Sequence, residues 1–167
     1  MVNINQFTCK QQVLLTLIHI GSSLKFVSDD LKDDREVVMT AVKQDGTALR
    51  YASVNMWFDR EIVMAAVSQC GEALRYVGGN LGSDKEVVLR AVTKKGKALE
   101  YARGAMSRDK QVVMCAVSQD GRSLKYASRD LRNDREVVLR AISRSRRAIK
   151  YASIELKNNL NFESDIN

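Results

Sequence analysis

The sequence has few of the residues from which catalytic and metal sites are usually built. His19 is the only histidine in 167 residues, which excludes a metal site made of histidines. Cys9, Cys70 and Cys115 lie far apart and form no CxxC pair, so neither a disulfide framework nor a zinc site is predicted. No GxGxxG, P-loop, GxSxG or HExxH motif occurs. We therefore predict a non-enzymatic protein with no catalytic residues, no cofactor and no metal.

Long apolar runs are missing as well. No stretch approaches the roughly 18 apolar residues of a membrane-spanning helix. The N-terminal MVNINQFTCK lacks the basic-then-apolar layout of a signal peptide. With three unpaired cysteines, these features favour a reducing, cytoplasmic location. The chain is 45% apolar, which is enough for a folded core, and its net charge of +7 makes an acidic partner or surface plausible.

One 25-residue period organises the chain. The segment DREVVMTAVKQDGTALRYAS at Asp34 returns four times with small changes, the last time at Asp134, and a degenerate copy begins at Cys9. The spacing contains no insertion or deletion. We number the resulting repeats 1 to 6 and place them at 9–33, 34–58, 59–83, 84–108, 109–133 and 134–158. An N-terminal cap segment (1–8) precedes them and a polar C-terminal tail (159–167) follows.

Each repeat is predicted to be a helix-turn-helix unit. Asp34 and its equivalents are good N-caps for a first helix, whose apolar residues fall on one face. Gly46 and its equivalents are expected to end that helix in the left-handed conformation. Helices of about ten residues are marginal alone in water, so stacking must bury their apolar faces. The sequence therefore predicts an all-α fold, an α-solenoid of six repeats.

Two columns of equivalent residues recur in the repeats. Tyr51 begins a column of five tyrosines, with Phe26 at the same position in repeat 1. We interpret it as part of the buried face rather than as a platform for nucleic-acid bases. A basic column runs from Lys10 to Arg135, next to the cap aspartates and first-turn glutamates. We interpret these cations as solvated helix starts that are neutralised locally.

Local structure does not account for the positive charge of repeats 4 to 6. Counted by repeat, the formal net charge is 0, 0, −1, +4, +2 and +4. We predict that the excess forms a basic ridge along one edge of the stack, which would attract an acidic protein surface, nucleic acid or an anionic lipid. The candidate partner-binding residues of this ridge are Arg90, Lys94, Lys95, Lys97, Arg122, Arg140, Arg144, Arg146 and Arg147.

Repeat 2 departs from the pattern at Trp57 and Phe58, where other repeats have mostly polar residues. An exposed aromatic pair at a turn is a candidate partner-binding site. The alternative is that Trp57 folds back over a gap between repeats. Repeat 1 departs differently, because its first helix is unusually apolar. Either residues 1–8 cover that face or the protein forms an oligomer through repeat 1.

The unit DREVVLxAVxxxGxALxYAS, present with small changes at Asp84 and Asp134, resembles the helical repeats of domain-of-unknown-function family 4116. The resemblance covers residues 9–158. Such repeats are found in effector-like proteins of intracellular bacterial pathogens and in some protist proteins. By analogy the resemblance implies a secreted effector module that is translocated into a host cell. It implies no activity and no catalytic residues.

The sequence thus favours a protein-interaction scaffold that binds a macromolecular partner through a variable, partly basic surface. The first alternative is binding of nucleic acid or anionic lipid through the basic ridge of repeats 4 to 6. The second is an enzyme with an unfamiliar carboxylate site, which would require acidic groups that converge in a cleft.

Overall fold

The computed structural model describes residues 10–159. Cys9, the predicted cap segment 1–8 and all but the first residue of the predicted tail lie outside the described residues. Within the described range the chain is helical and contains no β-strand, which confirms the predicted all-α repeat solenoid.

Every repeat begins with a ten-residue α-helix. Asp34 caps the helix of repeat 2, where its Oδ1 accepts hydrogen bonds from the backbone N–H of Glu36 and Val37 at 3.0 and 3.1 Å. The same cap recurs in repeats 3 to 6, as the sequence predicted. The α-helices are Lys10–His19, Arg35–Gln44, Arg60–Gln69, Lys85–Lys94, Lys110–Gln119 and Arg135–Arg144.

The second segment of each repeat is a six-residue 3₁₀ helix rather than an α-helix. Its buried residues explain this, because Gly46, Leu49 and Ala52 are spaced by three, the period at which 3₁₀ side chains align. The 3₁₀ helices are Gly21–Phe26, Gly46–Tyr51, Gly71–Tyr76, Gly96–Tyr101, Gly121–Tyr126 and Arg146–Tyr151.

A short third segment, which the sequence analysis treated as a polar turn, completes the repeat. It is helical in five repeats and a turn at residues 129–132 in repeat 5. The helical copies are Asp29–Lys32, Val54–Phe58, Gly79–Ser83, Met106–Arg108 and Ile154–Asn159. The predicted pair of helices per repeat is therefore corrected to three segments.

The repeats stack in sequence order and form two parallel rows. Each α-helix packs on the α-helix of the next repeat, and each 3₁₀ helix packs on the next 3₁₀ helix. We call these the α row and the 3₁₀ row. The core lies between them. In repeat 2 it contains Val37, Val38, Ala41, Val42 and Leu49, all fully buried.

The glycine that follows each α-helix sits where two repeats approach most closely. A Cβ atom at Gly46 would lie less than 3.0 Å from the carbonyl oxygen of Ala66 in the next repeat, and the same holds for the equivalent glycines of repeats 1, 3, 4 and 5. Among the described residues only Gly79 and Gly104 have a positive φ. The predicted left-handed helix end is therefore wrong, and glycine is needed there for close approach rather than for its φ angle.

The same junction is held by glutamine side chains. Gln69 accepts a hydrogen bond from the Gly46 backbone N–H through Oε1 at 2.6 Å, and its Nε2 donates to the Gln44 carbonyl at 3.1 Å. Gln44 and Gln119 bind the glycine of the preceding repeat in the same way. These bonds satisfy backbone groups at the end of one α-helix with the amide of the next repeat.

A backbone hydrogen bond joins every pair of adjacent repeats at the third segment. Ser53 N donates to Lys32 O at 2.9 Å, and equivalent atoms are bonded at the other four junctions. These bonds fix the register of one repeat on the next. The donor–acceptor pairs are Ser53–Lys32, Gly78–Trp57, Arg103–Gly82, Ser128–Ser107 and Ser153–Arg132.

The basic column pairs with carboxylates of the following repeat, not with those of its own repeat as predicted. Arg60 donates through Nη1 to Asp84 at 2.7 Å and through Nη2 to Glu86 at 2.6 Å. Lys10, Arg35, Lys85 and Lys110 bind the next cap aspartate in the same way. Each ion pair therefore links two repeats, and the cap aspartate serves both its own helix and the junction.

These ion pairs lower the pKa of the cap carboxyls. For Asp34, Asp84 and Asp109 the largest cause is the hydrogen bond from the basic side chain of the preceding repeat. Because the folded state holds the pKa below its ordinary value, the carboxylates stabilise the fold above that value. The stabilisation is lost as the pH falls through the ordinary pKa and then the folded one.

We expect a glycine at the junction to tolerate no side chain. Gly46→Ala should reduce the free energy of unfolding by about 2–4 kcal/mol, because a Cβ displaces the Ala66 carbonyl and the Gln69 amide. The measurement is urea unfolding followed by circular dichroism. Gly82→Ala is the control, since its Cβ would meet only the flexible Arg103 side chain. Equal losses in the two variants would contradict the junction constraint.

We also expect the stability to fall in acid through the cap aspartates. The urea midpoint should drop as the pH passes below the ordinary aspartate value of 3.8. A variant with Arg60→Gln and Lys85→Gln loses the cations opposite Asp84 and Asp109, so its curve should be flatter and should meet that of the unchanged protein in acid. Arg75→Gln is the control, because Arg75 lies over the Tyr101 ring instead of beside a carboxylate. A double variant with an unchanged acid dependence would contradict the assignment.

Candidate functional site

The structure divides the predicted basic ridge between the two rows. Arg90 and Lys94 lie on the α-helix of repeat 4, and Arg140 and Arg144 lie at the equivalent positions of repeat 6. Repeat 5 separates the two pairs, with Cys115 and Gln119 at these positions. The four cations of the α row therefore form two patches instead of a continuous ridge.

The 3₁₀ row carries the other part of the ridge. Lys97, Arg122 and Arg147 occupy the same exposed position on three successive 3₁₀ helices, so they form a continuous line. Arg146 begins the last of these helices. Lys95 is drawn towards repeat 3, where its Nζ lies 2.7 Å from Glu72 Oε1.

Most of these cations are not engaged within the fold. In the range 10–159, the side chains of five of them form no hydrogen bond or ion pair: Arg90, Lys94, Arg144, Arg146 and Arg147. Three others have polar contacts, which are Arg140 with Ser118, Arg122 with Asp120, and Lys97 with Glu100 at 3.9 Å. Repeats 4 and 6 thus present cations that junctions do not use.

A second basic column on the 3₁₀ row was missed by the sequence analysis. Lys125 and Lys150 follow Arg122 and Arg147 by three residues, and side chains at that spacing lie on the same edge of a 3₁₀ helix. A signal was present, because a basic residue directly precedes the aromatic residue in five of the six repeats. The column consists of Lys25, Arg50, Arg75, Lys125 and Lys150, with Glu100 in repeat 4.

The aromatic column is half-exposed, which corrects its assignment to the buried face. The tyrosine rings are half-buried, and Phe26 is 49% exposed. Cations of the second basic column lie over five of the six rings. Lys125 Nζ lies 4.4 Å from the centroid of Tyr126, and Lys150 Nζ lies 4.8 Å from that of Tyr151. The rings thus restrain the cations, and their covered faces are poor platforms for base stacking.

A pocket of about 350 Å³ lies among these side chains on repeats 4 to 6. We call it the Tyr126 pocket. Three cations, one carboxylate, a serine and two tyrosines line it, which gives a net formal charge of +2. The lining residues are Lys97, Asp120, Arg122, Ser123, Lys125, Tyr126 and Tyr151.

Two carboxylates hold the pocket's polar groups in place. Asp120 accepts hydrogen bonds from Arg122 Nε and Nη2, both at 3.2 Å. Burial acts to raise the pKa of Asp120, but the hydrogen bonds from Arg122 outweigh it and keep that pKa below its ordinary value. Tyr126 donates its hydroxyl to Glu100 at 2.8 Å. Burial chiefly raises the pKa of Tyr126, so its hydroxyl remains a donor at neutral pH.

Ser123 contributes an unsatisfied polar group to the pocket lining. Its side chain is buried, with 2% of the residue exposed, and its Oγ has no hydrogen-bond partner among the described residues. The Oγ lies beside Gly96, where a Cβ atom would be 2.8 Å away. Four of the other repeats have alanine at this position. A buried hydroxyl without a partner is unfavourable, so Ser123 is an exception to the packing of its column.

Trp57 and Phe58 do not form a paired exposed site. The indole N–H of Trp57 donates to the Leu49 carbonyl at 2.9 Å, and the half-buried ring packs on the core. Phe58 is 56% exposed, but its ring lies against Gly78 and Gly79 of the next repeat. The structure therefore favours the alternative in which Trp57 folds back on the chain.

Repeat 1 exposes four large apolar residues, Leu15, Ile18, Ile20 and Phe26. The segment that was predicted to cover them lies outside the described residues.

Two further observations concern residues 10–159 only. No helix there is long and apolar enough to cross a membrane. No group of three histidine, cysteine, aspartate or glutamate side chains there is arranged to hold a metal ion.

Comparison with known proteins identifies the repeats. The family model described as "Domain of unknown function (DUF4116)" matches residues 9–57, 59–104 and 109–157. Each match spans about two of the 25-residue repeats. No curated protein and no solved structure matches the chain.

We expect Ser123→Ala to raise the free energy of unfolding by about 1 kcal/mol, since it removes a buried hydroxyl that has no partner. Ala98→Ser makes the reverse change at the equivalent position of repeat 4 and should lower stability by about 1–3 kcal/mol. Urea unfolding measures both. A loss of stability in Ser123→Ala would show that the hydroxyl contributes to the fold.

Proposed function

This chain belongs to the DUF4116 family, to which no activity is assigned, and we propose that it is a non-enzymatic scaffold that binds an acidic protein partner. The binding surface is the basic part of the 3₁₀ row in repeats 4 to 6. Its central residues are Lys97, Arg122, Lys125, Arg147 and Lys150. The single observation that carries the proposal is a contrast between two sets of cations: one set forms ion pairs between repeats, and the other set does not.

The contrast follows from the positions of the charges. The basic column of the α row binds carboxylates at the junctions, so its charge is neutralised within the stack. The cations at the position of Lys97 replace serine, threonine and glutamate of the first three repeats, and no junction requires them. Repeats 4 to 6 together carry a formal charge of +10, against a net charge of +7 for the whole protein, and much of it lies on residues that the junctions do not use.

A binding role is favoured over catalysis by what the acidic residues do. The cap aspartates and first-turn glutamates hold helix ends and bind cations of the preceding repeat. Asp120 and Glu100 hold Arg122 and Tyr126. These carboxylates are engaged in structural contacts, so the hypothesis of a carboxylate-based enzyme has no support in their arrangement.

A protein partner is favoured over nucleic acid or an anionic lipid. Cations lie over the aromatic rings, so the surface offers few ring faces for bases to stack on. Basic residues at the Lys97 position span three repeats only, which suits a local acidic patch better than an extended phosphate backbone. An effector that acts in a host cell, as the family resemblance implies, remains part of this proposal, and the partner would then be a host protein.

We expect charge reversal on the 3₁₀ row to abolish partner binding. Lys97→Glu, Arg122→Glu and Arg147→Glu combined should weaken binding roughly tenfold or more, because rows of like charge would then face each other. The measurement is affinity capture from host-cell lysate, identification of the bound protein, and titration of that purified protein at two salt concentrations. Binding to the unchanged scaffold should weaken as salt rises.

The matched control reverses three cations of the α row, Arg90→Glu, Arg140→Glu and Arg144→Glu. Each triple variant lowers the net charge from +7 by six to +1, so the two differ only in where the charges lie. Equal binding by the two variants would reject the 3₁₀ row as the binding surface. Capture of nucleic acid in place of a protein, with loss in nuclease-treated lysate, would favour the alternative function.

A further inference from the structure

We propose that the Tyr126 pocket binds a phosphate monoester carried on a side chain of the protein partner. The inference deepens the proposed function, since it names the chemical group that the partner presents to the basic surface. It rests on the charge of the pocket, on its donors and on a comparison with the equivalent positions of the other repeats.

The charge of the pocket matches that of a phosphate monoester. Lys97, Arg122 and Lys125 line it together with one carboxylate, Asp120, so the lining carries +2. Glu100 lies beside the lining, where it accepts a hydrogen bond from the Tyr126 hydroxyl and lies 3.9 Å from Lys97 Nζ. A phosphorylated side chain carries close to −2 at neutral pH and offers three strong acceptor oxygens. A carboxylate side chain carries −1 and has fewer acceptor sites, so it would satisfy this set of donors less completely.

The donors are held in position before any ligand arrives. Asp120 accepts hydrogen bonds from both Nε and Nη2 of Arg122, which fixes the plane of the guanidinium. The Lys125 ammonium is restrained by the Tyr126 ring, whose centroid lies 4.4 Å from Nζ. Since less side-chain freedom is lost on binding, such restraint increases affinity for an anion.

The other repeats provide an internal comparison for the pocket. The equivalent positions in repeat 2 contain one cation, Arg50, and one carboxylate, Asp45. In repeat 4 the cations Lys95 and Lys97 are matched by the carboxylates Glu72 and Glu100. The positions centred on repeat 5 combine three cations with one carboxylate, and those centred on repeat 6 have three cations, Arg122, Arg147 and Lys150, without a carboxylate. A buried serine replaces the alanine in repeat 5, as it does in repeat 1.

A larger pocket of about 790 Å³ lies nearby, between the third segments of repeats 5 and 6. Its cations Arg129 and Arg132 are balanced by Asp130 and Glu155. The Nε of Arg132 is buried there without a hydrogen-bond partner among the described residues. A balanced lining does not select a dianion, so the Tyr126 pocket is the better phosphate site.

A phosphorylated side chain is favoured over a phospholipid headgroup or a nucleic acid. None of the large exposed apolar side chains of the described range lines the Tyr126 pocket, so it lacks an anchor for a lipid bilayer. A nucleic acid would present phosphates at regular intervals, whereas the basic residues at the Lys97 position are confined to three repeats. One local dianion fits this arrangement best.

The test is a titration of the ¹⁵N-labelled full chain, followed by amide chemical shifts. The first probe is inorganic phosphate, and the second is a phosphoserine peptide beside its unphosphorylated twin. We expect saturable shifts in Gly121–Tyr126, with much smaller shifts in the equivalent segment Gly46–Tyr51 of the same molecule. Phosphate binding should weaken as the pH falls below about 6, where a phosphate monoester loses its second charge, whereas sulfate binding should not.

Two variants make the test specific to the pocket. Arg122→Ala with Lys125→Ala should weaken binding of phosphate and of the phosphopeptide by about tenfold or more. Arg50→Ala with Arg75→Ala removes two cations from the same column in repeats 2 and 3 and should leave the affinity unchanged. An unchanged amide spectrum outside the substituted repeat establishes that each variant is folded.

Several results would overturn the inference. One is an equal response of Gly46–Tyr51 and Gly121–Tyr126, or an unaltered affinity in Arg122→Ala with Lys125→Ala. Another is tighter binding of single-stranded DNA, or of vesicles that contain phosphatidylinositol phosphates, than of the phosphopeptide.

Failure of this inference is separable from failure of the proposed function. If phosphate leaves the pocket unaffected while the triple reversal at Lys97, Arg122 and Arg147 still abolishes partner binding, only the pocket assignment is rejected. If phosphate binds but the triple reversal leaves partner binding intact, the pocket stands and the proposed binding surface fails.

Discussion

The close approach of a glycine to a backbone carbonyl of the next repeat is the constraint on which the stack depends. At five junctions a Cβ atom on the glycine would lie less than 3.0 Å from an alanine carbonyl oxygen of the next repeat, so no side chain fits there. The small residues on both sides let the α-helix and the following 3₁₀ helix of adjacent repeats pack almost backbone to backbone. Repeat 6 has Arg146 at this position. The close approach is thus confined to the junctions that have glycine.

This close approach explains why polar contacts between repeats are so regular. Once the backbones are in register, the same backbone atoms meet at every junction. The third segment donates a backbone hydrogen bond to the preceding repeat, as Ser53 does to Lys32. Gln69 bonds both to the Gly46 N–H and to the Gln44 carbonyl at the end of the preceding α-helix. Arg60 binds a cap aspartate and a first-turn glutamate at once. The repeated residues are thus explained by contacts within the stack, which leaves function to the residues that vary.

The sequence predicts the elements that depend on short-range patterns. The 25-residue period, the cap aspartates and the apolar face of each α-helix are visible because the residues involved lie within a few positions of one another. The predicted role of Gly46 was wrong because the constraint on Gly46 comes from another repeat, from the carbonyl of Ala66. The partners of the basic column were misassigned for the same reason, since a cation such as Arg60 is adjacent to one carboxylate in sequence and to another in space. Contacts between residues more than 20 positions apart require a register that only the folded stack defines.

The same limit applies to the candidate site. Local sequence grouped Lys94, Lys95 and Lys97 as one cluster, yet the three side chains have different surroundings: the α row, a salt bridge to Glu72, and the Tyr126 pocket. Conversely, Lys97, Arg122 and Tyr151 come from three repeats and line one pocket. In a solenoid, residues at equivalent positions are neighbours and residues adjacent in sequence often are not. A functional surface should therefore be sought by comparing equivalent positions across repeats. By that criterion the position of Lys97 stands out, because its residues are uncharged or acidic in repeats 1 to 3 and basic in the three adjacent repeats 4 to 6.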